Sequence, residues 1–107
     1  MPKALNQITE EVMALAKGKG FGTTPAEINL YEKLALVHGE VSEAIIAHRK
    51  KVTEGPSSFE AELADIILRT LHIAGVYGID MEAAITAKLE YNQTRTWNWR
   101  QLNEHHT

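Results

Sequence analysis

The chain has 107 residues, a length that suits one domain and leaves no room for a second. Its 11 Lys and Arg residues against 14 Asp and Glu residues give a formal net charge of −3, which argues against general binding of polymeric nucleic acid. The chain has no cysteine for disulfides or thiolate metal sites, and no apolar run approaches the roughly 18 residues of a membrane span, so we expect a cytoplasmic protein without a membrane partner.

The first two predicted helices are separated by a glycine-rich segment. The first helix should cover residues 3–17 and stop at residues 18–22, GKGFG, which lack the context and spacing of a phosphate-binding loop. Thr24 as N-cap and Glu27 as its capping-box partner predict the start of the second helix. This helix should be long and end near residue 51.

Two further helices complete the predicted fold. The capping-box sequence SSFE at residues 57–60 predicts a third helix that ends near Gly78. Asp80 can cap a fourth, which should end within residues 92–96. The predicted fold is therefore all-α, a four-helix bundle.

The second and third predicted helices are apolar on two faces. The stripe predicted to form the core contains Leu30, Leu34, Val37, Val41, Ile45 and His48 on the second helix, and Phe59, Leu63, Ile66, Ile67, Thr70, Ala74 and Tyr77 on the third. The other faces carry charged side chains among apolar ones. Because a monomer of this length cannot easily bury four apolar faces, we expect a homodimer or a tetramer built as a dimer of dimers.

Two pairs of carboxylates lie on the second faces. Glu40 and Glu43, and likewise Glu62 and Asp65, are three residues apart, which brings each pair to one side of its helix. If the two helices are antiparallel neighbours, four carboxylates meet, and a hard divalent cation would neutralise their charge. All-oxygen ligands favour Mg²⁺, with Mn²⁺ as a substitute. The alternative is that each pair is a solvated helix face.

Other ionisable residues near these pairs have several interpretations. No Glu-x-x-His spacing occurs, which argues against a di-iron bundle. Arg69 and His72 could support the carboxylates or face phosphate, or Arg69 could form an ion pair with Asp65 on the same helix. His38 is interpreted as a core or interface histidine.

The fourth predicted helix carries a polar stripe. Lys88, Asn92 and Arg95 follow a spacing of four and three residues, which places two cations and an amide on one face. They could hold a polyphosphate, and the alternative is a solvated basic stripe. Together with the carboxylates, this stripe points to a Mg²⁺-complexed nucleotide di- or triphosphate as the ligand.

The order of these motifs resembles the MazG-like nucleotide pyrophosphohydrolases of the all-α NTP pyrophosphatase superfamily. The resemblance covers about residues 18–96 of the single domain 1–107. It includes Glu-x-x-Glu, Glu-x-x-Asp after an 18-residue gap, and the segments KGFG, EKLALVHGEVSEA and KLEYNQTR. One departure is Gly39, since many members have a glutamate immediately before the first motif glutamate.

The resemblance implies a helical bundle completed by dimerisation, with an active site that hydrolyses nucleotides. It implies Mg²⁺ ligands and catalytic residues at Glu40, Glu43, Glu62 and Asp65, and phosphate contacts from Lys88, Asn92 and Arg95. It also implies that Phe21 stacks on a nucleobase, although capping of the local core is an equal alternative. The roles of Trp97 and Trp99 stay open between closing the site and packing on a partner subunit.

The expected activity is Mg²⁺-dependent hydrolysis of an NTP or dNTP between the α and β phosphates. The products would be a nucleoside monophosphate and pyrophosphate. One alternative is a hydrolase of the same fold that acts on dUTP, dUDP or phosphoribosyl-ATP. Another is a non-catalytic helical dimerisation or regulatory module.

Overall fold

The computed structural model describes residues 2–95, and this part of the chain is all-helical, without a β-strand. The helices are α1 (Leu5–Lys19), α2 (Leu30–Arg49), α3 (Phe59–Val76) and α4 (Met81–Thr94), and a short 3-10 turn covers Pro25–Glu27. The all-α prediction is confirmed for these residues. None of the four helices combines the length and the apolar character that crossing a membrane requires. Trp97 and Trp99 lie outside the described residues.

The second helix begins later than its predicted capping box. The Thr24 hydroxyl donates a hydrogen bond of 2.9 Å to the Glu27 carboxylate instead of capping a backbone N–H, so this pair closes the separate 3-10 turn. Ile28 and Asn29 are extended, which interrupts the helical path. Asn29 is the N-cap of α2, and its side chain accepts a hydrogen bond of 3.2 Å from the backbone of Glu32.

Side-chain caps also start α3 and α4. Ser58 is the N-cap of α3, and its side chain accepts a hydrogen bond of 3.2 Å from the Ala61 backbone N–H. The cap therefore lies one position after Ser57, the first residue of the predicted SSFE capping box. Asp80 caps α4 as predicted, because its side chain accepts a hydrogen bond of 3.0 Å from the Ala83 backbone N–H. The Asn6 side chain donates a further bond of 2.9 Å to the same carboxylate, which ties the start of α4 to α1.

The third helix is the centre of the fold, since α1 and α2 both pack on it while α4 packs on α1. A glycine makes the contact between α1 and α3 close: a Cβ at Gly75 would lie 2.6 Å from Met13 Cγ and 3.3 Å from Thr9 Cγ2. The buried apolar side chains are mostly small, and Leu71 is the largest fully buried one. They are Ala16, Ala44, Ala47, Leu71, Ala74 and Val76.

The predicted core stripe is largely uncovered in the single chain, so this prediction is wrong for most of its members. We call its exposed central part the outer stripe, which consists of Val41, Ile45, Phe59, Leu63 and Ile67. The buried residues of α3 are Glu62, Leu71, His72, Ala74 and Val76, and of these only Ala74 belonged to the predicted stripe. Glu62, His72 and Val76 share a side of the helix that faces away from this stripe, and we call that side the inner face. The helical period identifies two faces but not which one the neighbouring helices cover.

Candidate metal centre

Three carboxylates from two helices converge at the contact between α2 and α3. One oxygen from each of Glu40, Glu62 and Asp65 lies within 4.8 Å of the others, and we call these residues the acidic group. Glu62 is buried, with 7% of its surface exposed, while Glu40 and Asp65 are half-buried. Glu43, the fourth predicted ligand, is exposed and does not belong to this group.

An arginine compensates part of this negative charge. The Arg69 Nε atom donates a hydrogen bond of 2.9 Å to Glu40 Oε1, which forms an ion pair across α2 and α3. Arg69 therefore pairs with the neighbouring helix and not with Asp65 on its own helix. The ion pair leaves Glu62 and Asp65 as further oxygen donors beside Glu40. His38 is exposed on α2, which excludes the core position that the sequence allowed.

The crowding of carboxylates changes the acidity of the buried one. Hydrogen bonding to Glu40 raises the pKa of Glu62 above its ordinary value of 4.5, and burial raises it further. The negative charges of Glu40, Asp65 and Glu43 act in the same direction on this pKa. Ionised Glu62 is thus disfavoured unless positive charge arrives nearby.

The donor set of the acidic group fits a hard divalent cation such as Mg²⁺. All three donors are carboxylate oxygens, which suit Mg²⁺ or Mn²⁺ better than softer metals that seek nitrogen or sulfur. The raised pKa of Glu62 is what a site built for added positive charge is expected to show. Glu40, Glu62 and Asp65 are therefore the residues that would hold the ion.

A cavity of about 620 Å³ lies beside the acidic group, between α1, α2 and α3. Asp65, Arg69 and His72 form part of its wall, so the cavity connects to the acidic group through Asp65. Its other lining residues are Ile8, Glu11, Val12, Leu15, Ala16, Phe21, Lys33, Leu36 and Leu68. The wall is mainly apolar with a few charged groups, a composition that is common in small-molecule binding sites.

The loop after α1 brings Phe21 to this cavity. Gly20 ends α1 with a φ of 77°, and Phe21 follows with a half-exposed ring. On the other side of the loop, the buried His72 ring has its Nε2 atom 2.8 Å from the carbonyl oxygen of Gly22. Sequence reasoning missed this contact, because the helical spacing that put His72 on the same face as Asp65 does not reveal a partner in a distant loop.

The predicted phosphate-contacting residues lie elsewhere, since neither Lys88, Asn92 nor Arg95 lines the cavity. They belong to the α4 segment, where Lys88 Nζ lies 4.9 Å from the centre of the Tyr91 ring and Arg95 Cζ lies 5.5 Å from it. Both cations thus contact an exposed aromatic ring. Asn92 is half-buried on the same helix. In one copy of the chain, the structure does not bring the basic stripe to the acidic group.

Comparisons of the chain with family models, with curated proteins and with solved structures find no match. The motif resemblance described above therefore stays an expectation.

Proposed function

We propose that this protein is a MazG-like, Mg²⁺-dependent nucleotide pyrophosphohydrolase, which hydrolyses an NTP or dNTP to a nucleoside monophosphate and pyrophosphate. The observation that carries the proposal is the convergence of Glu40, Glu62 and Asp65 within 4.8 Å beside a large, mostly apolar cavity that Asp65 lines. A nucleotide needs both features, because its phosphates bind with a metal while its base prefers an apolar surface.

Each part of the site has a distinct task in this proposal. Glu40, Glu62 and Asp65 hold the metal, and Glu43, which is exposed on α2, is near enough to raise the pKa of Glu62. When bound, Mg²⁺ neutralises phosphate charge and acidifies water. A carboxylate near the metal would take the proton from the attacking water, and Glu43, which lies outside the acidic group, is a candidate for this role.

In this proposal, the cavity binds the nucleobase of the substrate. Phe21 contributes a half-exposed ring to its wall, and Leu15, Leu36 and Leu68 contribute aliphatic surface. A nucleobase that stacks on Phe21 would leave its phosphates directed toward Asp65 and Arg69. We propose this orientation because it places the charged part of the ligand beside Asp65, the lining residue that belongs to the acidic group.

A second copy of the chain completes the enzyme in this proposal. The outer stripe flanks an open, almost entirely apolar groove of about 380 Å³ along α2 and α3, which another subunit can cover. The basic stripe of α4 lines no part of the cavity in its own chain. We therefore propose that Lys88, Asn92 and Arg95 reach phosphate in the assembled dimer or tetramer.

A substrate panel tests the proposal. The full chain is incubated with the common NTPs and dNTPs, dUDP and phosphoribosyl-ATP in the presence of Mg²⁺, and pyrophosphate and orthophosphate are assayed separately. Pyrophosphate with a monophosphate is the expected product pair. Release of orthophosphate alone would contradict the proposed bond, and no turnover of any nucleotide would favour a dimerisation or regulatory module.

A further inference from the structure

The hydrogen bond between His72 and Gly22 joins two walls of the cavity. Both residues are buried, and the atoms involved are His72 Nε2 and the Gly22 carbonyl oxygen, 2.8 Å apart. A backbone carbonyl can only accept, so the proton of this bond resides on Nε2 of the imidazole. His72 is therefore the donor that attaches the loop after α1 to α3.

The 3-10 turn and the residue after it hold the loop against His72. Gly22 has a φ of 96°, and a Cβ there would lie 2.6 Å from Ile28 Cγ2 and 3.1 Å from the Glu27 carbonyl oxygen. The Glu27 carboxylate also accepts a hydrogen bond of 3.3 Å from the Thr23 backbone. Gly22 is thus enclosed between the 3-10 turn and His72, and its carbonyl has little room to move.

The contacts of Gly22 also fix the position of Phe21, the residue before it in the chain. Its backbone N–H donates a hydrogen bond of 2.9 Å to the Ala16 carbonyl near the end of α1, and its ring lines the cavity. His72 lies seven residues after Asp65, about two turns along α3, and both line the same cavity. The His72 bond therefore links the ring of Phe21 to the helix that carries two of the three acidic residues.

We propose that His72 is a positioning residue, which fixes the distance between the Phe21 wall of the cavity and the acidic group and so sets the affinity for the nucleotide. The proposal rests on the proposed function for the identity of the ligand. Although His72 lines the cavity, the proposal gives it no contact with the metal or with the phosphates that react. Loss of its hydrogen bond should widen the cavity and weaken binding, while the residues that carry out hydrolysis stay in place.

The test compares two substitutions at His72 with a control on the same helix. His72→Leu removes the donor, whereas His72→Gln keeps an N–H donor at a similar reach. Thr70→Val is the matched control, because it removes the 2.8 Å bond from the Thr70 hydroxyl to the Ile66 carbonyl within α3 and does not touch the loop. Each full-length variant is measured for KM and kcat with Mg²⁺ and the preferred nucleotide.

Hydrogen exchange of the Phe21 amide without nucleotide provides a second measurement. For His72→Leu we expect a KM that rises about five- to fiftyfold and amide exchange that is about tenfold faster, with kcat within about twofold of the parent, because one buried hydrogen bond is lost. His72→Gln should recover most of both effects. Thr70→Val should match the parent in KM and in exchange.

Parent-like KM and exchange in His72→Leu would overturn the proposal, as would a fall in kcat alone or a Gln variant no better than Leu. If His72→Leu does not fold, Gly22→Ala acts on the acceptor instead, since its Cβ must displace the loop, and it should show the same rise in KM and in exchange. If no nucleotide is hydrolysed by the parent, the proposed function fails, while the exchange rates still decide whether His72 holds the loop.

Discussion

The two faces of α3 differ in a way that reverses the usual relation between polarity and burial. The inner face buries Glu62 and His72, while the outer stripe leaves Leu63 and Ile67 exposed, the latter at 55% of its surface. A charged side chain is seldom buried unless it is paired or binds an ion. Apolar side chains that stay exposed in a contiguous patch usually mark a contact surface.

The comparison teaches that the two faces of α3 need different explanations. On the inner face, His72 donates a hydrogen bond to the loop, and a carboxylate oxygen of Glu62 lies within 4.8 Å of one from Glu40, which in turn pairs with Arg69. On the outer stripe, the neighbouring groove is lined by aliphatic and aromatic side chains with few polar atoms. We interpret the inner face as the site for metal and nucleotide, and the outer stripe as the subunit contact.

The largest expected effect comes from removing one charge on the inner face. Glu62→Gln keeps the shape of the side chain but removes an ionised metal ligand, so nucleotide turnover should fall by about a hundred- to a thousandfold or more. We also expect millimolar Mg²⁺ to raise the melting temperature of the parent, and this rise should be absent in Glu62→Gln. The measurements are hydrolysis rates and thermal melting with and without Mg²⁺.

Glu60→Gln is the matched control for that substitution. Glu60 lies in the first turn of the same helix, is exposed, and is not part of the acidic group. This variant should keep both activity and the Mg²⁺ effect. Full activity in Glu62→Gln would remove the inner face from the catalytic site, whatever the melting curves show.

Substitution of the basic stripe of α4 is expected to have the next largest effect. Lys88→Ala or Arg95→Ala removes a cation proposed to contact phosphate across the subunit boundary, so turnover should fall about ten- to a thousandfold while the helical content is kept. Gln93→Ala, an exposed neutral position on α4, serves as the control. Kinetics that match the parent in both charge variants would favour the alternative that the stripe is a solvated basic surface.

A charged substitution on the outer stripe tests whether this surface is the subunit contact. Ile45 lines the apolar groove with 49% of its surface exposed, so Ile45→Glu would bury a carboxylate in the proposed subunit contact and shift the assembly toward monomer. Light scattering should report the parent as a dimer or tetramer and this variant as a monomer. Tyr31→Glu, at an exposed position outside the groove, should keep the parent mass. A monomeric parent would contradict the interpretation of the outer stripe.

Local sequence signals predicted the helices well and their packing poorly. Asp80 caps α4 as predicted because a cap depends only on its nearest neighbours. At Thr24 and Glu27 the residues interact with each other, but extended backbone at Ile28 ends their turn before α2 begins. The outcome there depends on the path of the chain after the turn, which the capping pattern does not contain.

The acidic group shows the same division between local and distant information. The spacing of Glu62 and Asp65 follows from the helical period, and the structure places both beside Glu40. The ion pair of Arg69 with Glu40 joins residues 29 positions apart, so no local pattern predicts it. The same applies to His72 and Gly22, which are 50 positions apart.

The smallest expected effect is a pair of opposite pH dependences in stability without metal. The raised pKa of Glu62 means that its contribution to stability is fully present below its ordinary value of 4.5 and is lost as pH rises through the raised pKa. Hydrogen bonds from the Ala83 backbone and the Asn6 side chain lower the pKa of Asp80, so its contribution is present above 3.8 and is lost as pH falls through the lowered pKa. Thermal melting in EDTA between about pH 3 and pH 8 measures both. As pH rises, the melting temperature of Glu62→Gln should increase relative to that of the parent. The melting temperature of Asp80→Asn, which keeps a capping oxygen, should decrease relative to that of the parent. If the difference in melting temperature between the parent and Glu62→Gln did not change with pH, the carboxylates of the acidic group would not be interacting in solution, and the argument that their crowding favours a cation would be lost.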